Sequence, residues 1–199
     1  MDSRDALAQA MVELAGTEGF DNVTLEALVE RAGATPEDFD REFETIEACF
    51  AYAFGQVSAD LNGAARAAFD TTDGEWRVRL RAACYAACGF LQSDRIRARF
   101  AIVEVLRVGE PVATMREHSM DAFIEMIDAG RLELPDSESL PRSLAVTVTR
   151  ALADTFAVSV GRGDLDDLRD AVPELMCLAV MPYLGVGAAL LELHEPPPG

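Results

Sequence analysis

The chain has 199 residues, half of them apolar, enough to bury a real core and to build one or two domains. Its 35 acidic residues oppose 17 basic ones, all arginine, for a net charge of -18. That balance favours solubility and argues against generic attraction to nucleic acid or an anionic membrane.

No run of 18 apolar residues occurs, and the opening Met1-Asp2-Ser3-Arg4-Asp5 is acidic where a signal peptide is basic. The sequence thus predicts no membrane span and a cytoplasmic location. Cys49, Cys84, Cys88 and Cys177 read as buried thiols in a reducing compartment. His118 and His194 fall in separate segments, so no metal-ligand motif is expected.

In chain order, Leu7, Met11, Leu14 and Ala15 mark an amphipathic first helix that Gly19 ends, with Phe20 folding back on the same core. Thr24 predicts an N-cap for a short second helix carrying Leu25, Leu28, Val29 and Ala32, and Gly33 supplies a tight break. Thr35-Pro36-Glu37-Asp38 restarts a third helix, with Phe39 and Phe43 facing inward. Thr45 opens a longer fourth helix through Phe50, Phe54, Val57 and Leu61.

Thr72-Asp73-Gly74-Glu75 has the capping-box pattern ahead of a helix over Trp76 to Leu91. Ser93-Asp94 precedes a helix over Arg95 to Val108, and Gly109-Glu110-Pro111 opens one to Ala129, closed by Gly130. A polar loop with Pro135 and Pro141 follows. Two apolar segments, Leu140 to Val160 and Leu165 to Leu193, are separated by Gly161-Arg162-Gly163, and the tail from Glu195 to Gly199 frays. The sum is an all-α chain of about nine helices.

Three short helices with a glycine turn between the second and third form a helix-turn-helix. The run Thr24-Leu25-Glu26-Ala27-Leu28-Val29-Glu30-Arg31-Ala32-Gly33-Ala34-Thr35 resembles that of the tetracycline-repressor (TetR) family. So do the Phe39 to Phe43 spacing, the following Thr45-Ile46-Glu47-Ala48-Cys49-Phe50, and the C-terminal Pro173-Glu174-Leu175 and Met181-Pro182-Tyr183-Leu184-Gly185. The resemblance implies a DNA-binding head over residues 1–50 and a helical ligand-binding and dimerisation domain over 51–199. It implies a homodimer on a palindromic double-stranded operator, released by a small apolar or amphipathic ligand, with no cofactor and no membrane partner.

The head departs from that family's chemistry. Where members carry a phosphate-holding tyrosine and lysine, this chain has Asp40 and Ile46, and its first 50 residues hold 13 acids against Arg4, Arg31 and Arg41. Candidate DNA contacts are the helix starts at Thr24, Thr35 and Thr45, where backbone N–H groups can hold phosphate. Arg41 can reach a guanine or a phosphate, and Glu37 and Asp40 can accept from cytosine N4. Two functions stay open: a ligand-responsive regulator, read as a repressor, or a TetR-like dimer whose acidic head has left DNA for a protein-interaction or ligand-binding role.

Residues 76–107 are rich in arginine, and Arg95 and Arg99, one turn apart, are expected to dock on head acids. The ligand pocket is expected at Tyr85, Cys88, Phe100, Glu104, Phe123 and Met126, an adaptable apolar wall of aromatic and sulfur side chains. Glu104 would either orient a ligand amine or hydroxyl, or pair with Arg107 one turn on. The last two helices are apolar beyond one stripe, so Leu152, Phe156, Leu178, Met181 and Gly185 are expected at a two-fold four-helix interface. No glycine-rich phosphate loop, Ser-His-Asp pattern or nucleophile elbow occurs, which points away from an enzyme.

Overall fold

Ten α-helices and three short 3-10 turns, with no strand, make up the described residues of the computed structural model, 2–134 and 140–197. This is the all-α architecture that the hydrophobic periodicity predicts. Pro135, Pro198 and Gly199 lie outside the described residues. The chain divides into two compact units, one of residues 1–60 and 94–119, the other of 61–93 and 120–199.

In the first unit, α1 (Ser3–Glu18) buries Leu7, Met11 and Leu14, and Gly19 caps it at φ 91°. Glycine reaches that φ without the Cβ clash other residues meet. The turn Phe20–Asn22 then leads to α2 (Leu25–Ala32) and α3 (Pro36–Glu42). Gly33, at φ 65°, makes the left-handed break between them. The hydroxyls of Thr24, Thr35 and Thr45 each accept from the amide three residues on, at Ala27, Asp38 and Ala48. Each threonine therefore satisfies one of the orphan donors that begin a helix.

The long α4 (Ile46–Thr71) runs from the first unit into the second. Its buried Phe50 meets Phe20 edge-on at 5.1 Å and Phe100 at 4.4 Å. Phe100 lies on α6 (Arg95–Ile102), whose first amides are capped by Asp94. At Gly16 the backbones of α1 and α6 nearly touch: an added Cβ would stand 2.5 Å from the Ile96 carbonyl oxygen. The helix expected to reach Val108 stops at Ile102, and a turn Glu104–Leu106 follows. That turn carries the Glu104 carboxylate into the interior, where it is fully buried. The segment expected to be one helix from Pro111 to Ala129 is two, α7 (Val112–Ser119) in the first unit and α8 (Asp121–Asp128) in the second.

The second unit also contains α5 (Trp76–Ser93), the turn Ala129–Glu133, α9 (Ser143–Arg162) and α10 (Val172–Glu192). The Thr72 hydroxyl donates to the Ala68 carbonyl and closes α4, while Glu133 accepts from the first amide of α5. The expected local capping box thus gives way to a long-range carboxylate. Trp76, the chain's single tryptophan, donates from Nε1 to the Met126 carbonyl at 2.8 Å and packs edge-on against Tyr183. A second buried carboxylate, Glu192, accepts from Arg81 at 2.6 Å and from Arg77 at 3.3 Å, tying the end of α10 to α5. A buried charge of this kind persists only when paired.

By length and composition, α9 and α10 are each apolar enough to cross a bilayer, although neither holds an unbroken run of 18 apolar residues. Both are nevertheless assembled into the second unit, α9 against α8 and α10 against α5. Arg150 and Asp154 lie within α9, and α10 ends in the ion-paired Glu192. α10 is also broken at Gly185, which holds φ 79°, just after Pro182.

Gly130 faces the indole so closely that a Cβ would lie 2.6 Å from the Trp76 ring. Gly130→Ala should destabilise the protein by about 1–3 kcal/mol through overpacking. Thermal melting should show the loss, and Trp76 emission should shift as the ring is displaced. An unchanged melting temperature with unchanged emission would contradict this packing.

Candidate functional site

The head's outward face is built from the starts of α2, α3 and α4. Thr24, Thr35, Glu37, Asp40, Arg41 and Thr45 are all exposed there, while Phe39 and Phe43 turn inward. The three helix starts do not present equally open amides. At α3, the Asp38 carboxylate accepts from the Thr35 amide at 3.0 Å and from its hydroxyl at 2.9 Å, completing a reciprocal capping box. Asp38 also pairs with Arg41 at 2.9 Å. These bonds, the Thr35 amide foremost, hold the Asp38 carboxyl below the usual carboxylate range. An internal anion thus occupies the start of α3.

All three arginines of the first 50 residues have partners inside the protein. The Arg4 guanidinium lies over the Tyr52 ring at 4.4 Å, Arg31 pairs with Glu13 at 3.2 Å, and Arg41 with Asp38. Because both members of these two ion pairs are partly exposed, water competes and the Arg–carboxylate contacts are individually weak. Arg41 can leave Asp38 at modest cost.

Behind the head, the buried Glu104 accepts from the Phe20 amide at 3.0 Å. Arg99 stands 3.0 Å from its other oxygen, and Arg107 lies at 3.4 Å. Arg107 also reaches Asp21 at 3.1 Å. The expected docking of arginines on head acids therefore takes a different form. Arg99 goes to Glu104, Arg97 pairs with Asp60, and Arg107 meets the head acid Asp21. Arg95 is exposed at the start of α6. Of the two roles expected for Glu104, the local pair with Arg107 is formed.

The six residues expected to line one pocket do not share one compact unit. Phe100 and Glu104 belong to the first, and Tyr85, Cys88, Phe123 and Met126 to the second. Phe100, Glu104, Cys88 and Met126 are fully buried, Tyr85 nearly so, and Phe123 is half-buried. Burial pushes the Cys84 and Cys88 thiols up to about 12, so both stay protonated and unreactive at neutral pH. Of the expected interface residues, Leu152 is buried within its own unit, because α9 packs there on α8. Phe156 is half-buried, while Leu178, Met181 and Gly185 are exposed.

Two features had no counterpart in the sequence expectations. One is the Glu192 cluster, whose signal was an acid inside Leu190-Leu191-Glu192-Leu193. The other is a groove of about 350 Å³ between the Glu104–Leu106 turn and α7. Val105, Val108 and Ala113 form its apolar side, and Glu110, Arg116 and Glu117 its charged side. Among the described residues, no group of three or more His, Cys, Asp or Glu side chains is placed to hold a metal ion.

Glu104→Ala should cost about 2–4 kcal/mol, since it orphans the Phe20 amide and unpairs Arg99. Glu104→Gln should cost less, because an amide oxygen can still accept from Phe20. Chemical denaturation of both variants checks the order. Asp38 gives a pH test. Its depressed carboxyl contributes stability above the unfolded value of about 4 that is lost as pH falls through the folded value. Asp38→Asn should therefore lower the melting temperature at neutral pH, and the gap to wild type should close on acidification through the depressed folded value.

Among solved structures, the chain is similar to the fatty acid degradation regulator FadR from Bacillus halodurans, at TM-score 0.74 and 14% identity over 88% of this chain and 97% of that one. FadR from Bacillus subtilis, in complex with stearoyl-CoA, matches at TM-score 0.75, 14% identity and the same coverage. A TetR-like transcriptional regulator from Rhodococcus sp. RHA1 matches at TM-score 0.70 and 17% identity over 92% of this chain and 96% of that one. No protein-family model matches the sequence, and no curated protein does. The chain therefore has the fold of TetR-family transcriptional regulators.

Proposed function

We propose that this chain, having the TetR fold, is a ligand-responsive transcriptional regulator: a cytoplasmic homodimer that represses by placing two helix-turn-helix heads on a palindromic operator. The observation that carries the proposal is the capped α1–α3 head at the front of a chain that superposes on such regulators over nearly nine-tenths of its length. The exposed apolar side chains of α10, Leu178, Met181 and Leu190, support a second copy as partner. The ligand in this proposal is small and apolar or amphipathic. The stearoyl-CoA bound to the Bacillus subtilis FadR is a ligand of that kind. Tyr85, Cys88, Phe123 and Met126, all within the second unit, are its proposed contacts.

A second function is favoured by the head's charge. An acid held about 6 Å from a phosphate costs roughly 0.7 kcal/mol in water and more when desolvated. Exposed Glu37, Asp40, Glu44 and Glu47 surround the α3 face, with Arg41 as the cation on that helix. A dimer that has given up its operator and binds a ligand or a protein through the same fold meets no such cost.

One measurement separates the two. Fluorescence anisotropy on a fragment of the protein's own promoter region, at about 50 mM and about 200 mM salt, should show a regulator binding a short palindrome. Its affinity should fall by roughly tenfold between the two, as about two phosphate contacts would give. Absence of binding at micromolar protein and low salt removes the operator function. Monomers in sedimentation at the same concentration remove the dimer from both.

A further inference from the structure

We propose that the end of α10 beyond Gly185 is a strap, hinged at that glycine and latched on α5 by Glu192, and that its opening uncovers the interior of the second unit at Cys84.

Up to Tyr183, α10 is a core helix. It buries Val172, Leu175, Met176, Ala179, Val180 and Tyr183, and Tyr183 packs on Trp76. Pro182 then withholds the amide that would have bonded to the Leu178 carbonyl. Three residues later Gly185 stands at φ 79° and ψ 173°, a combination essentially reserved to glycine. The last turns of α10 are therefore a separate helical piece, joined to the core helix through one permissive residue.

That piece has little apolar anchorage. Among the described residues after Gly185 in α10, Ala189 and Glu192 are the buried ones, while Val186, Leu190 and Leu191 are more than half exposed. An alanine methyl contributes little on burial. Charge holds the segment instead. Glu192 accepts from Arg81 Nε at 3.0 Å and Nη2 at 2.6 Å, and from Arg77 at 3.3 Å. Glu195 stands 3.6 Å from Arg81. Removing the carboxylate would leave Arg81, almost wholly buried, without its main counter-ion. A segment fixed at one point opens as a unit at lower cost than the core around it.

Arg77, Arg81, Cys84 and Cys88 follow one another at helical spacing and form one stripe of α5. At one end the Leu168 carbonyl accepts from the Cys88 thiol at 3.6 Å, and at the other Glu192 covers the two arginines. Cys84 lies between them. Burial foremost, then the charges of Cys88 and Glu192, push its thiol up to about 12. Opening the strap exposes the stripe from the Arg77 end and reaches Cys84 before Cys88. Tyr85 and Cys88 lie farther along α5, so the strap also controls access to the ligand contacts proposed above. That last step rests on the ligand reading, and the strap itself does not.

The test uses the full chain with neither DNA nor ligand, so it is independent of the regulator function. Hydrogen–deuterium exchange in wild type should run about tenfold faster over residues 186–193 than over 174–181 of the same helix. Alkylation by N-ethylmaleimide, read cysteine by cysteine in mass spectra, reports the opening. Glu192→Ala should speed modification of Cys84 about tenfold, Glu192→Gln should fall in between, and Cys49 in the first unit should keep its wild-type rate. Equal exchange in the two halves of α10 would overturn the hinge, a result that needs no variant to fold. An unchanged Cys84 rate in Glu192→Ala, or Cys84 and Cys49 accelerating together as in global unfolding, would overturn the latch.

Discussion

A carboxylate sealed in an apolar interior is the constraint around which the first compact unit is arranged. Glu104 has no solvent to neutralise it, so every group around it is fixed by its charge: the Phe20 amide as donor, Arg99 and Arg107 as counter-ions. α6 stops at Ile102, and the turn that follows sets residue 104 in this interior. The aromatic contacts of Phe20 and Phe100 with Phe50 then close over the same region. In the second unit Glu192 and Arg81 repeat the arrangement, again joining residues far apart in sequence. A chain with 17 arginines and no lysine suits such sites, since the planar guanidinium meets a carboxylate through two donors and keeps its charge when buried.

The head shows how local chemistry can leave a fold intact while changing what its surface does. The capping box at Thr35 and Asp38 gives α3 a firm start. The same carboxylate takes up the Thr35 amide and hydroxyl, so an anion of the chain's own fills that terminus. With Arg4 over aromatic rings and Arg31 on Glu13, the positive charge of the head is spent on its own packing.

Much of the fold was legible in the sequence because its signals are local. Thr24, Thr35, Thr45, Gly19 and Gly33 mark helix ends through their own hydroxyls or backbone angles, and each does so in the structure. Thr72 does not cap α5, because α4 runs on to Thr71 and the Thr72 hydroxyl bonds back to the Ala68 carbonyl; the first amide of α5 goes instead to Glu133, 57 residues away, a partner that spacing cannot reveal. Chemical type does not by itself distinguish a pocket-lining residue from a core residue. Phe100 packs on Phe50, and Glu104 accepts from the Phe20 amide. Leu152 is buried on α9. An acid within an apolar run is the sequence signal shared by Glu104 and Glu192, and both side chains are buried and ion-paired.

The meeting of α1 and α6 at Gly16 limits how these helices can move against each other. Helices separated by side chains can ratchet past one another by swapping rotamers. Here a backbone carbonyl of α6 sits against a bare Cα, with no room for a Cβ between them. Any side chain at this position would wedge the two helices apart.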